Sequence, residues 1–301
     1  MDDAVAPAQA APTVHHSLHA DMVEAVEHLV GRARRADGVA PLNEHALLHL
    51  RGPAVSTDRH LISSAGDELV AYAYLDLSGD AATGAECVVS PASRGQGIGR
   101  CLVTALIEAS HPRPLTIWAH GDHAAAAAVA RRTGLQRVRE LRRMRRALDH
   151  ELPPVQVPDG IDPRTLRPGA DDAAWVALNA RAFDGHPEQA HVTVEDLRRR
   201  QQQPWFDPYG FFLAERGGVM VGFHWTKVEG DLGEVYVMGV SPDAQGGGLG
   251  RALTLHGLHH IRDVGVTHVQ LYVEADNHAA IAVYERLGFT VAGADAMYAT
   301  P

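Results

Sequence analysis

The sequence predicts an α/β fold with a mixed sheet, built as one unit used twice in tandem. Three observations carry that expectation. A β-branched run, Val235 to Val240, stops at Ser241-Pro242, passes a glycine-rich loop and enters the helical pattern Ala252 to Leu258. The same passage stands earlier in the chain, where Val89-Ser90-Pro91 leads through a loop ending in Arg100, shifted by 151 positions. A second pair of segments also matches, Asp122 to Leu135 against Asp276 to Phe289, shifted by 154 positions. The length agrees, since 301 residues exceed one comfortable core and suit two units of about 150 residues each.

Taken in order, residues 1–13 are rich in Ala and Pro and read as a flexible tail. The first unit is expected over 14–150. In it, Met22, Val23, Val26, Leu29 and Val30 follow helical spacing within His19 to Arg35, and a second helix is expected from Glu44 to Leu50. Leu69 to Leu75 and Ala85 to Val89 read as strands, Arg100 to Ala109 as the helix after the first loop, Leu115 to Ala119 as a strand and Ala124 to Arg132 as a helix. The proline-rich passage at 151–160 interrupts the pattern and is the expected linker to a second unit over 161–301. There Asp171 to Phe183 has helical spacing, with acidic residues suited to its N-terminus. Val192 to Gln202 is expected as a helix capped by Thr193, with Asp196 three residues on. Phe211 to Ala214 and Val219 to Lys227 read as strands paired around Arg216-Gly217-Gly218, followed by strands at Val269 to Glu274 and Thr290 to Tyr298.

Composition excludes several classes. The chain has 46% apolar residues, no apolar run long enough for a membrane span and no N-terminal signal pattern, so a cytoplasmic monomer is expected. A net charge of −10 argues against a general nucleic-acid binder, leaving Arg94, Arg100 and Arg251 to supply local positive charge beside the loops. The 19 histidines form no ligand pattern with Cys or carboxylates, so no metal is expected. Cys87 and Cys101 cannot make a disulfide framework and read as reduced core residues.

The duplicated loops suit phosphate. Glycines let backbone approach a ligand closely, and the free N–H groups at a helix start attract an anion. Gln245-x-x-Gly248-x-Gly250, Arg94-x-x-Gly97-x-Gly99 and the later Asn277-x-x-Ala280-x-x-x-Tyr284-x-x-x-Gly288-Phe289 resemble the GNAT superfamily of acetyl-CoA-dependent N-acetyltransferases. DGVAP at 37–41, GHPEQ at 185–189, WFDP at 205–208, GFHWTK at 222–227 and LYVEADN at 271–277 resemble a tandem branch of it that acetylates the cysteinyl amine of a cysteinyl-glucosaminyl-inositol.

The resemblance implies roles for particular residues. Met238, Gly239 and Val240 would pair with the pantetheine arm of acetyl-CoA, while Gln245, Gly246, Gly247, Gly248, Leu249, Gly250 and Arg251 would hold its phosphates. Asn277, His278, Ala279, Ala280, Ile281 and Ala282 would line the arm. In the first unit Cys87, Val88, Val89, Gly95, Gln96, Gly97, Ile98, Gly99 and Arg100 would make the corresponding contacts with a second acetyl-CoA. Glu234 would be the base and Tyr284 the acid; the matching positions of the first copy are Thr83 and Ala130, so that unit would be catalytically degenerate. Glu44, Glu188, Lys227, Glu234 and Tyr272 would hold the small-molecule acceptor. Two alternatives stay open: a GNAT enzyme acting on another amine, such as an aminoglycoside or a protein N-terminus, and a noncatalytic acyl-CoA sensor.

Overall fold

The computed structural model describes residues 11–79, 82–186 and 189–301. They form two compact units, one made of the described residues up to Leu141 together with Gly293–Pro301, the other of Arg142–Ala292.

The first unit contains β1 (Thr13–His15), α1 (Ala20–Asp37), α2 (Glu44–Arg51), β2 (Asp58–Ala65), β3 (Glu68–Asp76), β4 (Thr83–Val89), α3 (Ile98–Ser110), β5 (Leu115–Ala119), α4 (Ala124–Arg132) and the start of β6 (Gln136–Ala147). The second contains the end of β6, β7 (Asp162–Thr165), α5 (Asp172–Ala182), α6 (Val194–Gln201), β8 (Phe211–Arg216), β9 (Val219–Glu229), β10 (Leu232–Val240), α7 (Leu249–Asp263), β11 (His268–Glu274), α8 (His278–Arg286) and the start of β12 (Thr290–Ala299). The mixed α/β architecture is therefore as expected. The division between units is not at the proline-rich passage: it falls inside β6, and Leu152 of that passage is buried in the core of the second unit. The end of β12 completes the first unit, pairing antiparallel with β5 from Ala296↔Ala119 to Ala299↔Thr116.

Each unit contains a parallel pair, β4 with β5 and β10 with β11, beside antiparallel pairs. In the first unit the sheet is filled on one face by Leu102, Val103 and Leu106 of α3. The opposite face is covered by Val26, Leu29 and Ala33 of α1 with Ala46 and Leu50 of α2. β3 is consequently buried over Leu69 to Leu75, which is why it reads as a continuous apolar run. Cys87 belongs to the margin of this core, and burial pushes its thiol up to about 12. Cys101, expected in the core, is exposed: α3 turns Leu102, Val103 and Leu106 inward and leaves Cys101 on its solvent side.

A buried polar cluster ties the end of the chain into this unit. His120 lies between Glu86 at 3.3 Å and Asp295 at 2.9 Å, and Asp295 also accepts the Gly121 N–H at 2.8 Å. Burial alone would lower the imidazole, but the two carboxylates raise it to about 10. A histidine whose folded value exceeds its unfolded value contributes stability that is complete below about 6.5 and is lost as pH rises through about 10. Urea unfolding between those limits is expected to show a loss on the order of a few kcal/mol that His120→Gln removes. An identical pH slope in the variant would mean that the imidazole is not held charged.

In the second unit α7 lies against β9 and β10 so closely that two glycines are required. A Cβ at Gly257 would stand 2.0 Å from His224 Cε1, and one at Gly233 would stand 2.3 Å from Ile261 Cγ2. His224 is fully buried and its Nδ1 is held 2.8 Å from the Leu253 carbonyl, so the ring has nowhere to retreat. Gly to Ala in a helix interior ordinarily gains about 1 kcal/mol. Gly257→Ala is expected to do the reverse, costing about 1–3 kcal/mol by overpacking, read as a lower urea midpoint at unchanged slope.

Candidate active site

The site is organised by an irregularity in β10. The strand pairs with β9 along its whole length, but a bulge falls between Val235↔Thr226 and Val237↔Trp225. Residues two apart in an unbroken strand share a face, whereas here the extra residue, Tyr236, switches it. Val235 packs with Leu255 and Leu258 of α7, and Val237 with Trp175 and Leu178 of α5. On its other side β10 pairs with β11 only from Leu232↔His268 to Val235↔Leu271, although β11 continues to Glu274. Beyond that point β11 pairs no further with β10 among the described residues, and the edge at Met238, Gly239 and Val240 is available to an extended ligand. The first unit repeats the arrangement, with β4 and β5 paired only from Thr83↔Leu115 to Glu86↔Trp118, leaving Cys87, Val88 and Val89 beyond the pairing.

Both glycine loops end at a helix N-terminus with the same backbone. Gly248 and Gly97 are the N-caps of α7 and α3, with φ of 83° and 90°, and neither helix has a side-chain cap. The first-turn N–H groups are thus left for an anion, as a diphosphate requires. Gln245 Nε2 donates to the Val240 carbonyl at 3.2 Å and Arg94 Nε to the Val89 carbonyl at 3.2 Å, so these equivalent residues brace their loops alike. Arg94 does not supply unpaired charge, however: its guanidinium grips Asp37 through two contacts of 2.7 Å. Arg100 and Arg251 are exposed in the first helical turns and remain the cations beside the loops.

Glu234 lies just before the bulge, on the face opposite Val235. It is in register with Lys227 on β9 and Gln270 on β11, which places all three side chains on one face of the sheet. Glu234 Oε2 accepts from Gln270 Nε2 at 2.9 Å. Lys227 Nζ stands 4.6 Å over the Trp205 ring, 5.5 Å over Tyr236 and 3.0 Å from Glu229. Tyr272, 39% exposed, and Glu274 follow Gln270 on the same face of β11. His186 Nε2 lies 3.8 Å from Glu274, while His186 Nδ1 accepts the Gln189 N–H at 3.1 Å.

The structure therefore brings Lys227, Glu234 and Tyr272 together. Glu188 lies outside the described residues. Glu44 opens α2 in the first unit, half-buried beside Asn43, whose N–H donates to Glu86. Thr83, the counterpart of Glu234, is fully buried and its hydroxyl donates to the Pro114 carbonyl at 3.1 Å.

Tyr284 is buried in the cluster that holds Val235 and Leu271, edge-on to Phe289 at 5.8 Å. Burial pushes its hydroxyl up to about 12, which keeps it protonated near neutral pH and able to donate. α8, which carries it, is capped by Asn277, whose Oδ1 accepts the Ala280 N–H at 3.1 Å. Three features have no counterpart in the sequence reading: Gln270 beside Glu234, the Trp205–Tyr236 wall under Lys227, and His186 beside Glu274. WFDP and GHPEQ point to the segments that carry Trp205 and His186 but not to these contacts, and nothing but its place in a strand marks Gln270.

Comparison with known proteins adds to this geometry. The model of the "Acetyltransferase (GNAT) family" matches residues 25–135 and 175–289. A mycothiol acetyltransferase of Thermobispora bispora is 52% identical over 282 residues, covering 91% of this chain and 95% of that protein. One of Streptomyces avermitilis is 52% identical over 288 residues, covering 94% and 93%. Among solved structures, a GCN5-related N-acetyltransferase from Sphaerobacter thermophilus matches with a TM-score of 0.72 and 25% identity over 96% of this chain and 95% of that one. A tandem GNAT protein from the clavulanic acid biosynthesis pathway matches in fold, with a TM-score of 0.74 and 21% identity over 96% and 97%.

Proposed function

We propose, from the premise that this chain belongs to the mycothiol acetyltransferases of the GNAT family, that it transfers the acetyl group of acetyl-CoA to the cysteinyl α-amine of cysteinyl-glucosaminyl-inositol, the final step of mycothiol biosynthesis. The observation that carries this reading is identity of about half to proteins of that name over more than nine-tenths of the chain.

The β10 edge at Met238 to Val240 and the Gly246–Arg251 loop fit acetyl-CoA as co-substrate: the first offers unpaired strand edge to the pantetheine amides, the second uncapped helix N–H groups to the phosphates. Asn277 to Ala282, at the start of α8, would flank the arm. Glu234 takes the proton from the acceptor ammonium, directly or through water, because an ammonium has no lone pair with which to attack. The amine nitrogen then bonds the acetyl carbon as the carbon–sulfur bond breaks, Tyr284 protonates the departing thiolate, and the second proton that the nitrogen sheds on becoming an amide passes through water to restore the Tyr284 hydroxyl. Lys227 and Tyr272 hold the acceptor on the Glu234 face, with Glu188 as a further ligand. The first unit, with Thr83 and Ala130 at the corresponding positions, does no chemistry, and its Gly95–Arg100 loop offers a second acetyl-CoA site.

CoA release together with product mass, measured on cysteinyl-glucosaminyl-inositol and on aminoglycosides and N-terminal peptides, tests the reading. Turnover confined to the cysteinyl compound is expected. Equal or greater kcat/KM for another amine would replace the acceptor, and tight acetyl-CoA binding without turnover of any amine would leave a sensor.

A further inference from the structure

We propose that Gln270 is the positioning residue for the base, holding the Glu234 carboxylate ionised and in one orientation at the point where β10 and β11 part. The inference rests on the reading of Glu234 as the base. Gln270 is only 8% exposed, and its register partner on the parallel strand is Glu234. One register step later, at Val235↔Leu271, the pairing of the two strands ends. The 2.9 Å bond from Gln270 Nε2 to Glu234 Oε2 therefore fastens the carboxylate beside the opening of the sheet.

The direction of that bond is set by a third residue. Arg145 on β6 places its NH2 nitrogen 3.4 Å from Gln270 Oε1. A guanidinium can only donate, so the amide must turn its oxygen toward Arg145 and its NH2 toward Glu234, where an ionised carboxylate can only accept. The amide is neutral. It favours the ionised carboxylate by one hydrogen bond without the larger loss of basicity that a cation in its place would impose. The result is a carboxylate aimed by a neutral partner beside the opening of the sheet.

Two substitutions separate this role from simple packing. Gln270→Leu removes the donated bond, which raises the proton affinity of Glu234. It is expected to lower kcat about tenfold, shift the acid limb of kcat/KM for the acceptor to higher pH and leave the KM for acetyl-CoA within about twofold. Gln270→Glu keeps the shape and the acceptor for Arg145 but sets a second carboxylate against the first, so the acid limb is expected to rise by about one pH unit or more. Charged groups around this face, Lys227 with Glu229, Glu274 with His186, Arg200 beside Tyr236 and Arg145, are unchanged in both variants. In a Glu234→Gln background, Gln270→Leu is expected to add no further loss, as coupled residues require.

If Glu234→Gln lowers the rate while both Gln270 variants, folded, keep the wild-type profile, the positioning role is overturned and the base assignment stands. If Glu234→Gln itself keeps the wild-type rate and profile, the base assignment fails first.

Discussion

Glu234→Gln is expected to lower turnover by roughly 10²- to 10⁴-fold, the usual contribution of a general base, while acetyl-CoA still binds. The substitution keeps the size of the side chain and a hydrogen-bonding group toward Gln270, so the strand pairing from Leu232 to Val235 has no reason to change. An α-amine has an unperturbed value of about 7.7 to 8, so most of the acceptor is protonated at pH 7 and the base matters most there. Raising the pH supplies free amine without help and is expected to recover part of the loss. Pre-steady-state and steady-state rates from pH 6 upward, with circular dichroism to establish folding, measure this; an unchanged rate and profile would assign the proton to water or to another group.

Gly248→Val is expected to abolish activity, whereas Gly97→Val changes acetyl-CoA stoichiometry or stability and leaves the chemistry largely intact. A Cβ at Gly248 meets nothing within 4 Å, so the effect is not one of packing. Its φ of 83° is a region that β-branched residues avoid, and the loop must either bear that strain or abandon the conformation that presents the α7 N–H groups. The side chain would also stand where phosphate approaches. Gly97 has the same conformation, at φ 90°, but it serves the unit in which Thr83 and Ala130 replace the ionisable pair. Calorimetric titration with acetyl-CoA beside turnover separates the two loops, and equal loss of turnover from both folded variants would remove the assignment of chemistry to the second unit.

Much of the fold was legible because its signals are local. Helix α1 announces itself by apolar spacing, and α6 by a reciprocal capping box between Thr193 and Asp196. The duplicated loop located both strand-to-helix turns. β6 escaped because a strand is read from alternating apolar residues, and this one carries six arginines in twelve positions. With β6 unseen, a unit boundary inside it could not be placed, and the proline-rich passage attracted it instead. In the site, Glu234 stood out as an ionisable group that one copy has and the other lacks. Gln270 has no such signature, since an amide acquires meaning only from what it touches across the sheet. The pairing of Arg94 with Asp37, 57 residues away, was equally invisible, because sequence shows a charge but not its partner.

The return of β12 to β5 has a consequence for how the molecule is made. His120 meets Asp295 across 175 positions, and the Leu115 N–H meets Thr300 across 185. A chain emerging from the ribosome presents its first sheet early, but with β5 as an uncovered edge, and that edge stays open until nearly all of the second unit has been synthesised. The half that is made first is thus completed last. The loop that must close to complete it contains the whole second unit, so folding of the latter shortens the span and lowers the entropic cost of closure.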